Sequence, residues 1–196
     1  MLDFLAKGGV LVVPILLCSI VALAIFLERL IRFSLLRKRG KGLARKVAGL
    51  ISSGEDQAAL DAAKQSDSPM GRILIQALEV KNKERETLET VVVHATEGQV
   101  RELAKYLQAL ATIGNIAPLL GLLGTVIGMI RAFMVIQEMG GKVNASVLAG
   151  GIWEAMLTTA LGLAVALPTI IAHSYLVSQV NKYEARLQDG VVTFMK

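Results

Sequence analysis

Three stretches of this chain carry no charged residue: Gly8–Leu27 over 20 residues, Tyr106–Ile130 over 25 and Ala155–Asn181 over 27. About 20 apolar residues in a helix cross the hydrocarbon of a bilayer. In hydrocarbon only helices and closed barrels satisfy their own backbone. The runs are unbroken rather than alternating, so helices are expected. The fold class follows: an all-α integral membrane protein with three transmembrane helices and long cytoplasmic helical extensions.

The basic residues give the orientation. Of 21 Lys and Arg, 13 lie between Leu35 and Lys105. Lys182, Arg186 and Lys196 follow the third run; only Lys7 precedes the first, and only Lys142 falls in the polar bridge, roughly Glu138 to Ser146, that joins the second and third spans. Basic flanks stay on the cytoplasmic side. The chain is expected to divide into an N-out first span (1–34), a cytoplasmic helical region (35–105), the second and third spans (106–178) and a cytoplasmic tail (179–196). The net charge of +5 follows this layout and does not point to nucleic acid. The block Arg37-Lys38-Arg39-Gly40-Lys41 fixes orientation, with contact to anionic lipid as a smaller addition. Ala22-Leu23-Ala24 fits a signal-cleavage rule. The apolar run continues to Leu27, however, and meets Arg29 and Arg32, so a retained anchor is expected. Cys18 stands alone in the first run, which excludes an intrachain disulfide and a CxxC metal pattern; a packed thiol is expected.

The cytoplasmic part reads as helices. Leu43, Val47, Leu50 and Ile51 share one face. Ser52 and Glu55 stand at capping-box spacing before a short helix over Gln57–Gln65. Ser68-Pro69 suits an N-cap with proline at the first helical position. The next helix buries Ile73, Leu74, Ala77 and Leu78, and Lys81–Glu86 forms a turn. From Thr87 to Pro118 no breaker appears, which predicts one helix running from the cytoplasm into the membrane. His94 on that helix reads as an ordinary surface or packed residue.

Small residues mark the second and third spans. Gly114, Ala117, Gly121, Gly124 and Gly128 recur at steps of three and four. So do Gly151, Ala155, Thr158, Gly162, Ala166 and Thr169. Such stripes let membrane helices approach closely, which predicts tight packing within the chain or between copies.

The polar residues in the spans carry the chemistry. Glu154 precedes the longest uncharged run, and none of the three runs contains an Asp or Glu. A carboxylate in hydrocarbon costs about 2.5–3.5 kcal/mol on insertion scales and marks function by default. The second and third spans are antiparallel, so residues at equal depth have a nearly constant sum of numbers. Thr125 then lies level with Thr159, and Arg131 level with Glu154. The two layers stand about 8–9 Å apart at helical rise. Two polar layers point to a lined interior. Plainer readings stand beside this one. The threonines can bond their own helix carbonyls, and Glu154 can be a structural ion pair with Arg131. Asn115 can bond between helices, Pro118 and Pro168 can kink them, and Trp153 and His173 can sit at the interfaces. If protons cross here, a second protein has to bring the missing carboxylate.

The segments LATIGNIAPLLGLLGTVIGMIRAF and GGIWEAMLTTALGLAVALPTII resemble the ExbB/TolQ/MotA proton-channel family, most closely ExbB with TolQ next. MotA-type members have four spans. The resemblance implies a stator subunit of the bacterial inner membrane: five copies around a pore that holds two single-span partner helices of the ExbD or TolR type. The partner supplies an aspartate, and proton flow drives outer-membrane transport through TonB. A TolQ-like role in envelope integrity is the alternative, and a purely structural scaffold is another. On the resemblance, Thr125, Glu154 and Thr159 line the proton path, and Thr158 adds to the lining where ExbB often has alanine. Arg131 stands where a neutral residue is usual. No HExxH, paired aspartates or nucleophile elbow appears, so no enzymatic activity, cofactor or metal is expected.

Overall fold

The computed structural model describes residues 10–36, 39–40, 42–138 and 145–195. The described residues form seven α-helices and no strand: α1 (Val12–Leu36), α2 (Leu43–Ser52), α3 (Asp56–Gln65), α4 (Pro69–Glu79), α5 (Arg85–Leu103), α6 (Leu107–Glu138) and α7 (Ala145–Met195). Three helical stretches, Val12–Leu36, Arg85–Glu138 and Leu148–Met195, are long and apolar enough to cross a membrane. The chain is an all-α, multi-pass membrane protein. Most of the basic block at 37–41, the whole of the bridge at 139–144, Lys7 and Lys196 lie outside the described residues.

The chain forms two compact units: Met1–Leu27 with Tyr106–Ser174, and Glu28–Lys105 with Tyr175–Lys196. In the first, α1 buries Val12, Ile15 and Ala22 and exposes Val13, Leu16, Leu17, Ile20 and Leu23. An exposed apolar face of this kind belongs in lipid. Cys18 is a free, half-buried thiol. Pro118 and Pro168 both lie inside continuous helices, α6 and α7.

In the second unit α2 packs on α3 and α4, α3 on α4, and α4 on α5. Its core includes Val47, Ala59, Ala63, Ile73, Leu74, Ala77 and Val92. The apolar faces of α2 and α4 are thus turned inward at the positions their periodicity indicates. Ser68 caps α4: its Oγ accepts from the Gly71 amide at 3.1 Å, and Pro69 follows at the first helical position. The capping box expected from Ser52 and Glu55 is not formed. Ser52 ends α2 with its hydroxyl donating to the Ala48 carbonyl, and Glu55 makes no side-chain cap. The turn is closed from the other side. Gly54, at φ +77, lets its amide reach the Ile51 carbonyl and the Glu55 amide reach that of Leu50, a Schellman ending that favours glycine because it needs the left-handed region.

The uninterrupted helix expected from Thr87 to Pro118 is also broken. Residues 104–106 form a turn with Tyr106 at φ +67. α5 ends on the Ala104 amide bonding Val100, and the Leu110 amide opens α6 on the Tyr106 carbonyl. A left-handed tyrosine costs about 1–2 kcal/mol, so local preference does not favour this break.

Glu102 draws in cations from two other helices of this unit. Arg32 of α1 pairs with its Oε1, and Arg72 of α4 with its Oε2 at 3.2 Å. Arg29, 1% exposed, pairs with Glu28 at 2.7 Å and donates to the Glu102 carbonyl at 3.2 Å. The hydrogen bond from Arg32, with the positive field of Arg32, Arg72 and Arg29, outweighs burial and holds the Glu102 carboxyl below the usual glutamate range.

A carboxylate whose pKa is lower folded than unfolded stabilises the fold above its unfolded value, and that stability disappears as pH falls through the folded value. The thermal midpoint of the detergent-extracted protein should therefore drop as pH is lowered through and below the ordinary glutamate range. Glu102→Gln should lower the midpoint at neutral pH and flatten that part of the acid limb. Parallel acid limbs for the two proteins would exclude Glu102 as their source.

Candidate functional site

Glycine spacing brings α6 and α7 together. Gly114, Ala117, Gly121, Gly124 and Gly128 of α6 are all buried. Their neighbours on α7 are Thr169 and Ile170 for Gly114, Gly162 for Ala117 and Gly121, Thr158 and Thr159 for Gly121, Thr158 for Gly124, and Ala155 for Gly128. Gly151 faces Ala132. A Cβ on Gly162 would stand 2.6 Å from the Ala117 carbonyl oxygen and 3.1 Å from the Gly121 Cα, so backbone meets backbone there. The two small-residue stripes found in the sequence are the two sides of one antiparallel seam.

That seam fixes the level of each polar residue. Glu154 lies on α7 one residue before Ala155, which is buried against Gly128. Its Oε1 is 3.9 Å from Arg131 Nη1 of α6. The side chains are 35% and 57% exposed respectively, so the pair lies on an open rim of the seam, not within it. Glu154, Arg131, Gly124 and Gly128 line a cavity of about 240 Å³, together with Val10 and Leu11 from the start of the described chain. This volume has room for several waters.

The threonines divide. Thr159, half-buried, donates across the seam to the Gly121 carbonyl at 2.9 Å. Thr125, also half-buried, donates to its own helix at Leu122 at 2.6 Å. Thr158, 2% exposed, is turned into the seam and donates to Ala155 at 2.7 Å. A Cβ on Gly124 would lie 2.3 Å from the Thr158 Oγ1, so that glycine leaves space for Thr158. Glu154, Arg131 and Thr158 thus share one cavity, and all three threonines donate to backbone carbonyls. The structure adds Gly124 and Gly128 as cavity-forming positions, which the sequence marked only as packing. Chemically, the site offers one carboxylate in reach of water, one guanidinium as counter-charge, and a rigid floor of backbone.

The sequence model of the MotA/TolQ/ExbB proton channel family matches residues 65–189. The ExbB biopolymer transport protein of Salmonella typhimurium is 30% identical over 185 residues, covering 90% of this chain and 75% of that protein. The exbB1 biopolymer transport protein of Vibrio cholerae is 30% identical over 183 residues, covering 92% and 80%. A Synechocystis sp. protein named as ExbB-like is 33% identical over 166 residues, covering 84% and 79%.

The seam generates a paired prediction. Gly162→Ala places a methyl against backbone that cannot retract, so it should destabilise the protein by about 1–3 kcal/mol, as overpacking does. Gly150→Ala meets nothing within 4 Å and should be neutral or slightly stabilising, by up to about 1 kcal/mol. Thermal unfolding in one detergent compares them; equal midpoints would show that the seam is not closely packed.

Proposed function

Because the chain belongs to the MotA/TolQ/ExbB proton channel family, we propose that it conducts protons past Glu154 as a stator subunit. In this reading it couples the proton gradient of the bacterial inner membrane to TonB-dependent outer-membrane transport. Five copies would surround an ExbD-type single-span partner whose aspartate completes the path. The first unit is then the membrane part, with the N-terminus periplasmic. The second unit is the cytoplasmic part and contains the C-terminus. The work is transport, not catalysis.

One observation carries this reading. Glu154 is the only acid between Ala145 and Asn181, and α6 has none before Glu138. Yet its carboxylate is half-exposed beside a cavity with room for several waters. A group that relays protons has to be reachable and reversibly charged. Thr125 and Thr159 lie on the same two helices at a fixed level and supply hydroxyls along the path. Thr158, buried in the seam, sets the α7 backbone one turn beyond Glu154.

A structural scaffold is the second reading, and the Arg131–Glu154 contact at 3.9 Å favours it. The two readings separate on Arg131. If the pair is structural, Arg131→Gln dissociates the complex. If Glu154 relays protons, the complex persists.

Proton flux into liposomes holding the protein with its single-span partner is the primary measurement. Glu154→Ala should lower the flux by about 100-fold, the scale of a lost proton-transfer group, with oligomer mass unchanged. Thr159→Ala should lower it less. Wild-type flux in both variants would remove Glu154 and Thr159 from the path. A TolQ-like role in envelope integrity predicts the same flux and is distinguished by whether a TonB-type or a Pal-type protein co-purifies.

A further inference from the structure

In the second unit α1 and α7 frame a cavity of about 490 Å³, lined by Leu30 and Phe33 from α1 and by Tyr175, Lys182, Tyr183 and Arg186 from α7. Ser34 and Gln179 complete the lining. Lys182 and Arg186 are its only charged residues among those the structure describes. They stand four apart on α7, and so on one helix face. Both are exposed, and neither takes part in any ion pair among the described residues, although Glu28, Glu102 and Asp67 all engage arginines of the same unit.

The other wall is apolar. Phe33 is buried and Leu30 half-buried. The hydroxyl of Tyr183 donates to the Leu36 carbonyl at 3.5 Å, which ties α7 to α1 beside the cavity. The sequence places this cavity at a definite depth. Tyr175 and Gln179 belong to the last turns of the uncharged run that ends at Asn181, and Leu30 follows the run that ends at Leu27. Basic residues begin at Arg29 on one helix and Lys182 on the other. The cavity therefore straddles the step from hydrocarbon to basic sequence, where lipid phosphates stand and where tyrosine is favoured. Its size falls within the range of small-ligand pockets, about 300–1,000 Å³.

We propose that this cavity is a binding site for an anionic phospholipid, its phosphate held by Lys182 and Arg186 and its first methylenes laid against Leu30 and Phe33. Two cations without acid partners select negative headgroups over zwitterionic ones. Ser34 and Gln179 offer neutral hydrogen bonds to glycerol or phosphate oxygens. This differs from the diffuse attraction of a basic flank, because it depends on two residues and a shaped wall.

Native mass spectrometry of the full-length protein tests the site. The detergent-extracted protein is offered phosphatidylglycerol and phosphatidylcholine in equal amounts. Wild type should retain phosphatidylglycerol preferentially. Lys182→Gln with Arg186→Gln should lower that retention by about tenfold or more, given roughly 1 kcal/mol per cation near a membrane surface. The exchanged pair Lys182→Arg with Arg186→Lys should keep it. Arg85→Gln with Arg101→Gln removes equal charge from exposed positions of α5 and should also keep it. Equal retention of the two lipids, or equal loss in the α5 control, overturns the proposal. So does full displacement by millimolar inorganic phosphate, which would make the site one for free anions. Loss of subunits in the same spectra with lipid retention unchanged would assign the surface to contact between copies and also overturn it.

Discussion

The rest of the first unit depends on how closely α6 and α7 approach. Between helices in lipid there is no hydrophobic gain to hold them, since lipid tails are as apolar as leucine. Attraction has to come from many short-range contacts, and those need backbones within reach of one another. Gly121 and Gly162 meet with no side chain between them, and Gly128 and Gly151 each receive an alanine methyl from the facing helix. A shift of one residue along either helix would drive a Cβ into a carbonyl. The seam is therefore a ruler as well as an adhesive. It sets Arg131 opposite Glu154 and Thr159 opposite Gly121, and neither side chain needs a locking interaction of its own.

Outside the seam, α6 and α7 present large apolar side chains: Ile116, Leu119, Leu123 and Val126 on one, Met156, Leu163, Leu167 and Ile171 on the other. In water such a surface would drive aggregation; in hydrocarbon, or against further copies, it costs nothing. The second unit solves a different problem. It has short helices with one apolar face each, and its polar contacts converge on Glu102. Arg32 and Arg72 reach that carboxylate from positions 70 and 30 residues away in sequence, while Arg29 takes the carbonyl of the same residue. One acid thus ties the end of α1 to α4 and α5.

What could be read from the sequence was what repeats or is conspicuously missing. The absence of charge gave the three spans. Steps of three and four gave both sides of the seam, and antiparallel counting gave the level of Arg131 with Glu154. Ser68-Pro69 announced a cap that formed. What escaped reading depended on distant partners or on one torsion. Tyr106 breaks a helix with no glycine or proline to signal it. Gly54 closes the turn after α2 from the C-terminal side, where Ser52 and Glu55 spelled a cap on the N-terminal side. Glu102 was one acid among several on a charged helix until its arginines arrived from elsewhere. Thr158 shows the limit of both approaches at once. Its periodicity put it on the small-residue stripe and the family resemblance put it beside Thr159; neighbours on a helix diverge by about 100°, and the structure turns Thr158 inward and leaves Thr159 at the seam's margin.

The setting of Glu154 is best understood from what its contact with Arg131 lacks. A buried ion pair is held by bidentate geometry and by further hydrogen bonds that satisfy the remaining lone pairs. Here a single approach of 3.9 Å joins two half-exposed groups. At that distance and exposure the attraction is worth little in water, about 0–1 kcal/mol, and it gains strength only as the surroundings lose water. The guanidinium can therefore offset the cost of a carboxylate at this depth without holding it fast. The Glu154 side chain lines the cavity and stays 35% exposed. A closed salt bridge would have made Glu154 part of the frame. The seam, which needs no charge, already provides the frame, and Glu154 stands at its rim.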